Sequence, residues 1–337
     1  MRSKNLIIGL VCLLIVVMVL SMSTKSQKPE EQPKFETIVI GTGGTPKWSP
    51  DGTRLAFMSG GWLCVANADG KGEVKKVAKI GINSLDWMSD SAFVFSEKRP
   101  WTPEGKGRGH KLAIRAVDMK GQIRTIREDS IIVIPQSEYL TYASVPVILQ
   151  DGTVGYYEIN EKPGGEEKIF KIIKEGNLKP EAAVKQMHLV GEGLESIDGA
   201  VKKKINYTKK YYYVRLSPDG TKILAHHYGL GIATLDTAGN IIKDFSPELP
   251  KVESGRIADM VSASWSPDSK KIAYDLIVES EDTTYSRDIY IANFDGTGKI
   301  KIPDIPGELI GGPAWSPDGT KILCRSESGK IYVIKVK

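Results

Sequence analysis

The residues of this chain whose types and spacing could do chemistry are four histidines, a set of aspartates at one repeated position and a set of tryptophans at another. His110, His188, His226 and His227 could hold a divalent metal, because imidazole suits such ions. His226 and His227, however, are neighbours in an apolar strand pattern, so they point to opposite faces and do not converge on one ion. Asp51, Asp219, Asp268 and Asp318 could bind calcium or exchange protons, yet each stands inside a Ser-Pro-Asp turn whose chemistry already accounts for it. Trp48, Trp265 and Trp315 recur at one register and read as packing between repeats, not as a platform for sugar rings. Lys202–Lys204 with Lys209 and Lys210 could touch anionic lipid or polymer, and read as a solvated strand and loop. No Gly-x-Ser-x-Gly elbow occurs, so a serine-hydrolase arrangement is absent from the sequence. These residues define no catalytic set, no metal site and no cofactor site, and the chain reads as a non-enzyme.

The elements that carry them are repeats. Trp48-Ser-Pro-Asp-Gly52, Leu216-Ser-Pro-Asp-Gly220, Trp265-Ser-Pro-Asp268 and Trp315-Ser-Pro-Asp-Gly319 are copies of one unit, and Trp87-Met-Ser-Asp90 and Ile148-Leu-Gln-Asp-Gly152 are degenerate ones. Each is followed by a strand-like apolar stretch, and several strands end at a second turn such as Asp69-Gly70 or Ala238-Gly239. Each unit is then a meander of three or four short strands, too small to bury its own apolar faces unless it stacks on copies of itself. Radial stacking solves this, which predicts an all-β, six-bladed β-propeller. The widest interval, Ile148 to Leu216, is treated as one unit with a long insertion; seven blades is the alternative, because Glu195–Asn206 resembles a further second turn with its outer strand. The last unit stops after its third strand, Lys330–Val336, and Phe35–Ile40 is expected to supply the fourth and close the ring.

The stretches Pro46-Lys-Trp-Ser-Pro-Asp-Gly-Thr-Arg-Leu-Ala-Phe57 and Ser264-Trp-Ser-Pro-Asp-Ser-Lys-Lys-Ile-Ala-Tyr274 resemble the recurring unit of the TolB-like (WD40-like) propeller family. The resemblance spans residues 35–337, strongest in the first and last three units and weak over about 97–209. It implies a propeller fold and says little of function. TolB carries an α/β domain before its propeller, for which the stretch before Phe35 leaves no room, so that family's lipoprotein partner is not carried over. The same repeat gates the hydrolase domain of prolyl-oligopeptidase-type enzymes, a domain with no place here. Some propeller lyases hold a metal through several histidines in the funnel, a set this chain does not offer.

Before the repeats, Arg2 and Lys4 precede an apolar run from Leu6 to Leu20, and small residues follow at Ser21 and Ser23. This is the architecture of a secretory signal peptide, residues 1–23, or of an uncleaved anchor through residues 6–22. Both send residue 24 onward out of the cytoplasm, to the periplasm or the exterior. Residues 24–34 read as a flexible tether. The net charge of +5, or +3 without residues 1–23, is too mild for a nucleic-acid partner. Cys64 and Cys324 fall in apolar strands and read as buried free thiols, with a bond between them the alternative.

A functional surface is expected where the middle strands of the units connect, over Glu97–His110, Asn160–Glu167 and Glu279–Arg287, because long unlike loops on a rigid scaffold make binding faces. The candidate partner-binding residues are Arg99, Trp101, Arg108 and His110 in the first loop, and Glu281, Asp282, Tyr285 and Arg287 in the third. The sequence points to a monomeric, non-catalytic propeller that offers this face to a protein or cell-envelope partner. The alternative is a metal-assisted lyase or hydrolase acting on polysaccharide in the funnel.

Overall fold

The computed structural model describes residues 34–336 apart from 82–83, 102–108, 133–139, 149–153, 163–164, 173–186, 191–192, 197–201, 205–210, 228–230, 247–257, 260–261 and 280–284. Strand β1 (Phe35–Thr42) comes first, and the remaining strands form antiparallel meanders. Sheet I holds β2 (Gly44–Trp48), β3 (Arg54–Ser59), β4 (Trp62–Asn67) and β5 (Lys75–Lys79); sheet II holds β6 (Ser84–Ser89), β7 (Ala92–Trp101), β8 (Gly109–Asp118) and β9 (Ile123–Ile132). Sheet III is β10 (Leu140–Ile148), β11 (Val154–Lys162) and β12 (Gly165–Ile172), and sheet IV is β13 (Met187–Val190), β14 (Gly193–Ser196) and β15 (Lys202–Lys204). Sheet V is β16 (Tyr211–Leu216), β17 (Lys222–His227), β18 (Ile232–Asp236) and β19 (Ile241–Asp244). Sheet VI comprises β20 (Ala258–Asp259), β21 (Ala263–Trp265), β22 (Lys271–Glu279), β23 (Tyr285–Asn293) and β24 (Ile300–Lys301). Sheet VII comprises β25 (Ile310–Trp315), β26 (Lys321–Ser326) and β27 (Lys330–Val336), with β1 as its outer strand. Among the described residues no helix is long and apolar enough to cross a membrane.

Among the described residues the sheets number seven; the repeat arithmetic favoured six blades and kept seven as its alternative. The wide interval after Ile148 holds the rest of sheet III and all of sheet IV.

Alternation along the middle strands explains why the sheets stack face to face. In β3, Leu55 and Phe57 join the core shared with sheet VII, while Ala56 joins the core shared with sheet II. In β26, Ile322 and Cys324 face sheet VI while Leu323 faces sheet I. A further core lies between sheets V and VI around Phe245, Trp265 and Tyr274. Each of these sheets is buried on both faces, as a flat sheet in a two-layer sandwich would not be. Cys64 and Cys324 are both free and buried, and they lie on opposite sides of sheet VII.

A hydrogen bond repeats at these junctions. Trp87 Nε1 donates to the Lys47 carbonyl, Trp265 Nε1 to Arg215, and Trp48 Nε1 to Ala314, each acceptor standing one residue before the anchor of the preceding sheet. The last of these joins the first sheet to the final one, as does β1, which pairs with β27 from Phe35↔Val336 to Thr42↔Lys330. At the junction of sheets VI and VII the pattern breaks: Trp315 Nε1 is buried without a partner, and so is the hydroxyl of Ser264, the residue in the acceptor position. Trp→Phe at 48, 87 or 265 strips a donor from an accepting carbonyl, whereas Trp315→Phe removes an orphaned donor. In denaturant titrations Trp315→Phe is therefore expected to cost about 1–2 kcal/mol less than the other three.

The Ser-Pro-Asp turns form a second belt. Ser49, Ser217, Ser266 and Ser316 are buried, and each hydroxyl donates to the Asp two residues on at 2.5–2.6 Å. Each also accepts the amide five residues on, at 2.8–2.9 Å. The aspartates are thereby consumed as turn acceptors, the role expected from the sequence; the serine as hub of the turn was not foreseen. Neighbouring turns touch: the Asp219 amide donates to Ser269 Oγ at 3.0 Å and the Asp51 amide to Asp90 Oδ1 at 3.0 Å. Gly52, at φ 69°, faces the ring of Pro317, where any side chain would crowd it.

Candidate functional site: the ribbons opposite the turn belt

Opposite the Ser-Pro-Asp turns, the hairpins between middle strands differ in height. In sheets I and VII they join strands of 6 or 7 residues, whereas β7 and β8 have 10 each, β22 and β23 have 9 each, and β11 and β12 have 9 and 8. In sheet II the inner strand β6 pairs with β7 only as far as Ser84↔Ser96, but β7 and β8 stay paired to Trp101↔Gly109, and β8 and β9 to Gly109↔Ile132. A three-stranded ribbon thus extends beyond the sheet.

The stretches expected to be long loops are accordingly shorter and more ordered. Glu97–Trp101 and Gly109–His110 are paired strand, leaving 102–108 between them; β11 and β12 run to Lys162↔Gly165; and β22 and β23 run to Glu279↔Tyr285. Side-by-side pairing satisfies the backbone groups that a loop would leave to water, so even polar stretches extend the ladder. Of the candidate residues, Arg99 stands opposite Lys111, Trp101 opposite Gly109, and His110 opposite Pro100, which sets Arg99 and Trp101 at one parity of the ribbon and His110 at the other. Tyr285 and Arg287 share a parity on β23. The two groups rise from different sheets, II and VI, with VII and I between them. Arg108, Glu281 and Asp282 lie outside the described residues.

Arg287 has a specific task at the base of its ribbon. Its Nε and Nη2 donate to Asp275 Oδ2 at 3.0 and 2.6 Å, the Gly312 amide donates to the same oxygen at 2.9 Å, and the Ser262 amide to Oδ1 at 2.6 Å. The Asp275 side chain is fully buried and that of Arg287 is 18% exposed. A Cβ on Gly311 would collide with the Arg287 guanidinium, so only glycine leaves room for it. The carboxylate joins β22 and β23 to the bulge in β25, between Gly311 and Ala314, where Gly312 takes φ 66°. Arg287 is therefore a clamp between sheets VI and VII, not a cation held out to a ligand. Sheet II has a matching pair at the base of its ribbon, with Arg115 Nε 3.0 Å from Glu97 Oε2 and both side chains largely buried. Sequence reasoning missed Asp275, although a lone acid inside the apolar run Ile272–Val278 was the signal that could have found it.

Two further groups are tuned by their surroundings. Hydrogen bonds from Lys330, then Ser328 and Ser326, hold Glu308 down to about 2, tying the segment before β25 to the β26–β27 turn. Burial pushes the Cys324 thiol up to about 12, which makes it unreactive. Among the described residues no group of three His, Cys, Asp or Glu side chains is placed to hold a metal.

Sheets buried on both faces, with Trp–carbonyl bonds at three of their junctions and the first strand paired with the last, define a β-propeller. Solved structures similar to the chain include a TolB from Agrobacterium tumefaciens, 17% identical over 91% of this chain and 98% of that one, with a TM-score of 0.44. They include the Cps50 (Swd1) β-propeller domain of Myceliophteria thermophila, 13% identical over 90% of this chain and 100% of that one, with a TM-score of 0.47. An oligogalacturonate lyase in complex with manganese is 16% identical over 88% of this chain and 78% of that one, with a TM-score of 0.41. No protein-family model matches the chain, and no curated protein matches it.

Proposed function

We propose that this chain is a non-catalytic binding propeller that works outside the cytoplasm and presents the tall ribbons of sheets II, III and VI to a protein or cell-envelope partner. The observation that carries this reading is the β7–β8 pairing beyond Ser96, which sets Arg99 and Trp101 two residues apart on a strand held on its β8 side. A rigid strand presenting a Trp and an Arg meets a partner at small entropic cost, and these are the residue types that dominate binding energy.

The test is capture of partners by the full chain from crosslinked envelope. Arg99→Ala with Trp101→Ala is expected to leave the melting temperature unchanged and to reduce capture by at least about tenfold, the effect of losing one central anchor. Undiminished capture would count against this face. Metal analysis of the purified protein separates the proposal from a metal-assisted polysaccharide lyase or hydrolase: a stoichiometric divalent ion would favour the enzyme.

A further inference from the structure

Several cations elsewhere on the described surface stand against carboxylates: Lys222 on Asp219, Lys301 on Asp288, Lys321 on Asp318, Lys330 on Glu308 and Lys335 on Glu36. One stretch of rim is different. The outer strand of sheet I exposes Lys75, Lys76 and Lys79, the turn before it exposes Lys71, and the second turn of sheet II exposes Lys120. None of the five makes an ion pair among the described residues. Lys75 Nζ reaches across to the Met119 carbonyl at 2.9 Å, which brings the two sheets' lysines onto one surface. Carboxylates on this rim are fewer: Asp69 and Asp118 each accept amides of their own turns, and Glu73 stands between Lys71 and Lys75. Interleaved with the lysines are two exposed aliphatic side chains, Val74 at 43% and Ile123 at 45%.

We infer that this rim docks on an anionic phospholipid surface. Lysines interleaved with exposed aliphatics suit a headgroup layer, where charge attracts and a small apolar side chain enters the interface. The connectivity agrees: β1, which begins where residues 24–34 end, runs beside this rim, with Ile38 against Gly70 next to Lys71. Lysines on an edge strand also deter edge-to-edge pairing. That covers β5 but leaves unexplained Lys71 and Lys120, which are on turns. The inference rests on the extracytoplasmic reading of the N-terminal segment, and its test keeps the two apart.

The full chain is mixed with vesicles of phosphatidylcholine alone or with added phosphatidylglycerol, and labelled with an amine-reactive reagent. Labelling at Lys71, Lys75, Lys76, Lys79 and Lys120 is expected to fall about fivefold on the anionic vesicles and to recover in high salt, while Lys270 on sheet VI stays constant. Changing Lys71, Lys75, Lys76 and Lys79 to Gln should restore labelling at Lys120. Equal labelling on both vesicle types overturns the inference, as does protection by soluble polygalacturonate but not by vesicles. Flotation with the uncharged vesicles reports separately on the N-terminal segment: a chain that does not float there, yet is protected on anionic ones, keeps the rim and loses the anchor.

Discussion

Asp275→Ala is expected to lower unfolding stability by about 3–5 kcal/mol, the cost of breaking a buried ion pair by removing one partner. The variant leaves the Arg287 guanidinium, mostly enclosed, without its carboxylate, and strips the acceptor from the amides of Ser262 and Gly312. The damage falls on the joint between sheets VI and VII, which already lacks its Trp–carbonyl bond. Arg287→Ala should cost a similar amount, because it leaves a carboxylate buried. The double variant should cost clearly less than the two single effects added together, since neither charge is then left alone. A loss below about 1 kcal/mol for Asp275→Ala in a denaturant titration would show that this pair does not hold the joint.

Deleting β1 is expected to be at least as damaging. The strand covers the edge of β27, adds Ile38 and Ile40 to the core between sheets VII and I, and leads into Gly43, whose carbonyl accepts from Arg325 Nε at 2.7 Å. Losing two aliphatic side chains and a strand ladder should cost at least about 4 kcal/mol. In a chain of this size that corresponds to a fall in melting temperature of roughly 6 °C or more. The exposed edge of β27 would also invite aggregation. A chain beginning at Lys34 is the control, and it is expected to keep the melting temperature of the full-length protein. Equal melting with and without β1 would mean that the last sheet is complete without it.

These effects show which parts of the fold were legible in the sequence. The tryptophan register and the Asp-Gly turns were, because inter-sheet packing and positive-φ turns each demand particular residue types at fixed spacing. The seventh sheet was harder to see, since sheet IV has no Trp-Ser-Pro-Asp anchor and its strands are only 3 or 4 residues long. The middle connections were read as loops because Glu, Lys and Pro break the apolar pattern there; in the ribbons, residues beyond the core can be polar and still pair. Arg287 was read as a surface cation because its partner, twelve residues away in sequence, becomes its neighbour only through the β22–β23 register. The buried serines of the turns recur in every intact copy, but Pro and Asp-Gly already account for the reversal, so their part as hub of the turn was overlooked.

Radial order of the sheets, fastened by the first strand against the last, is the claim on which the binding face and the lysine rim both depend. Glu36 and Lys335 are directly opposite in β1 and β27, with Lys335 Nζ 2.9 Å from Glu36 Oε1, and opposed positions in an antiparallel pair lie within disulfide range. Glu36→Cys with Lys335→Cys should therefore form an intramolecular disulfide on mild oxidation, while Cys64 and Cys324 remain reduced inside separate cores. A monomeric, crosslinked and thermally stabilised protein is the predicted result. Thiols that stay free, or that link only between molecules, would contradict it.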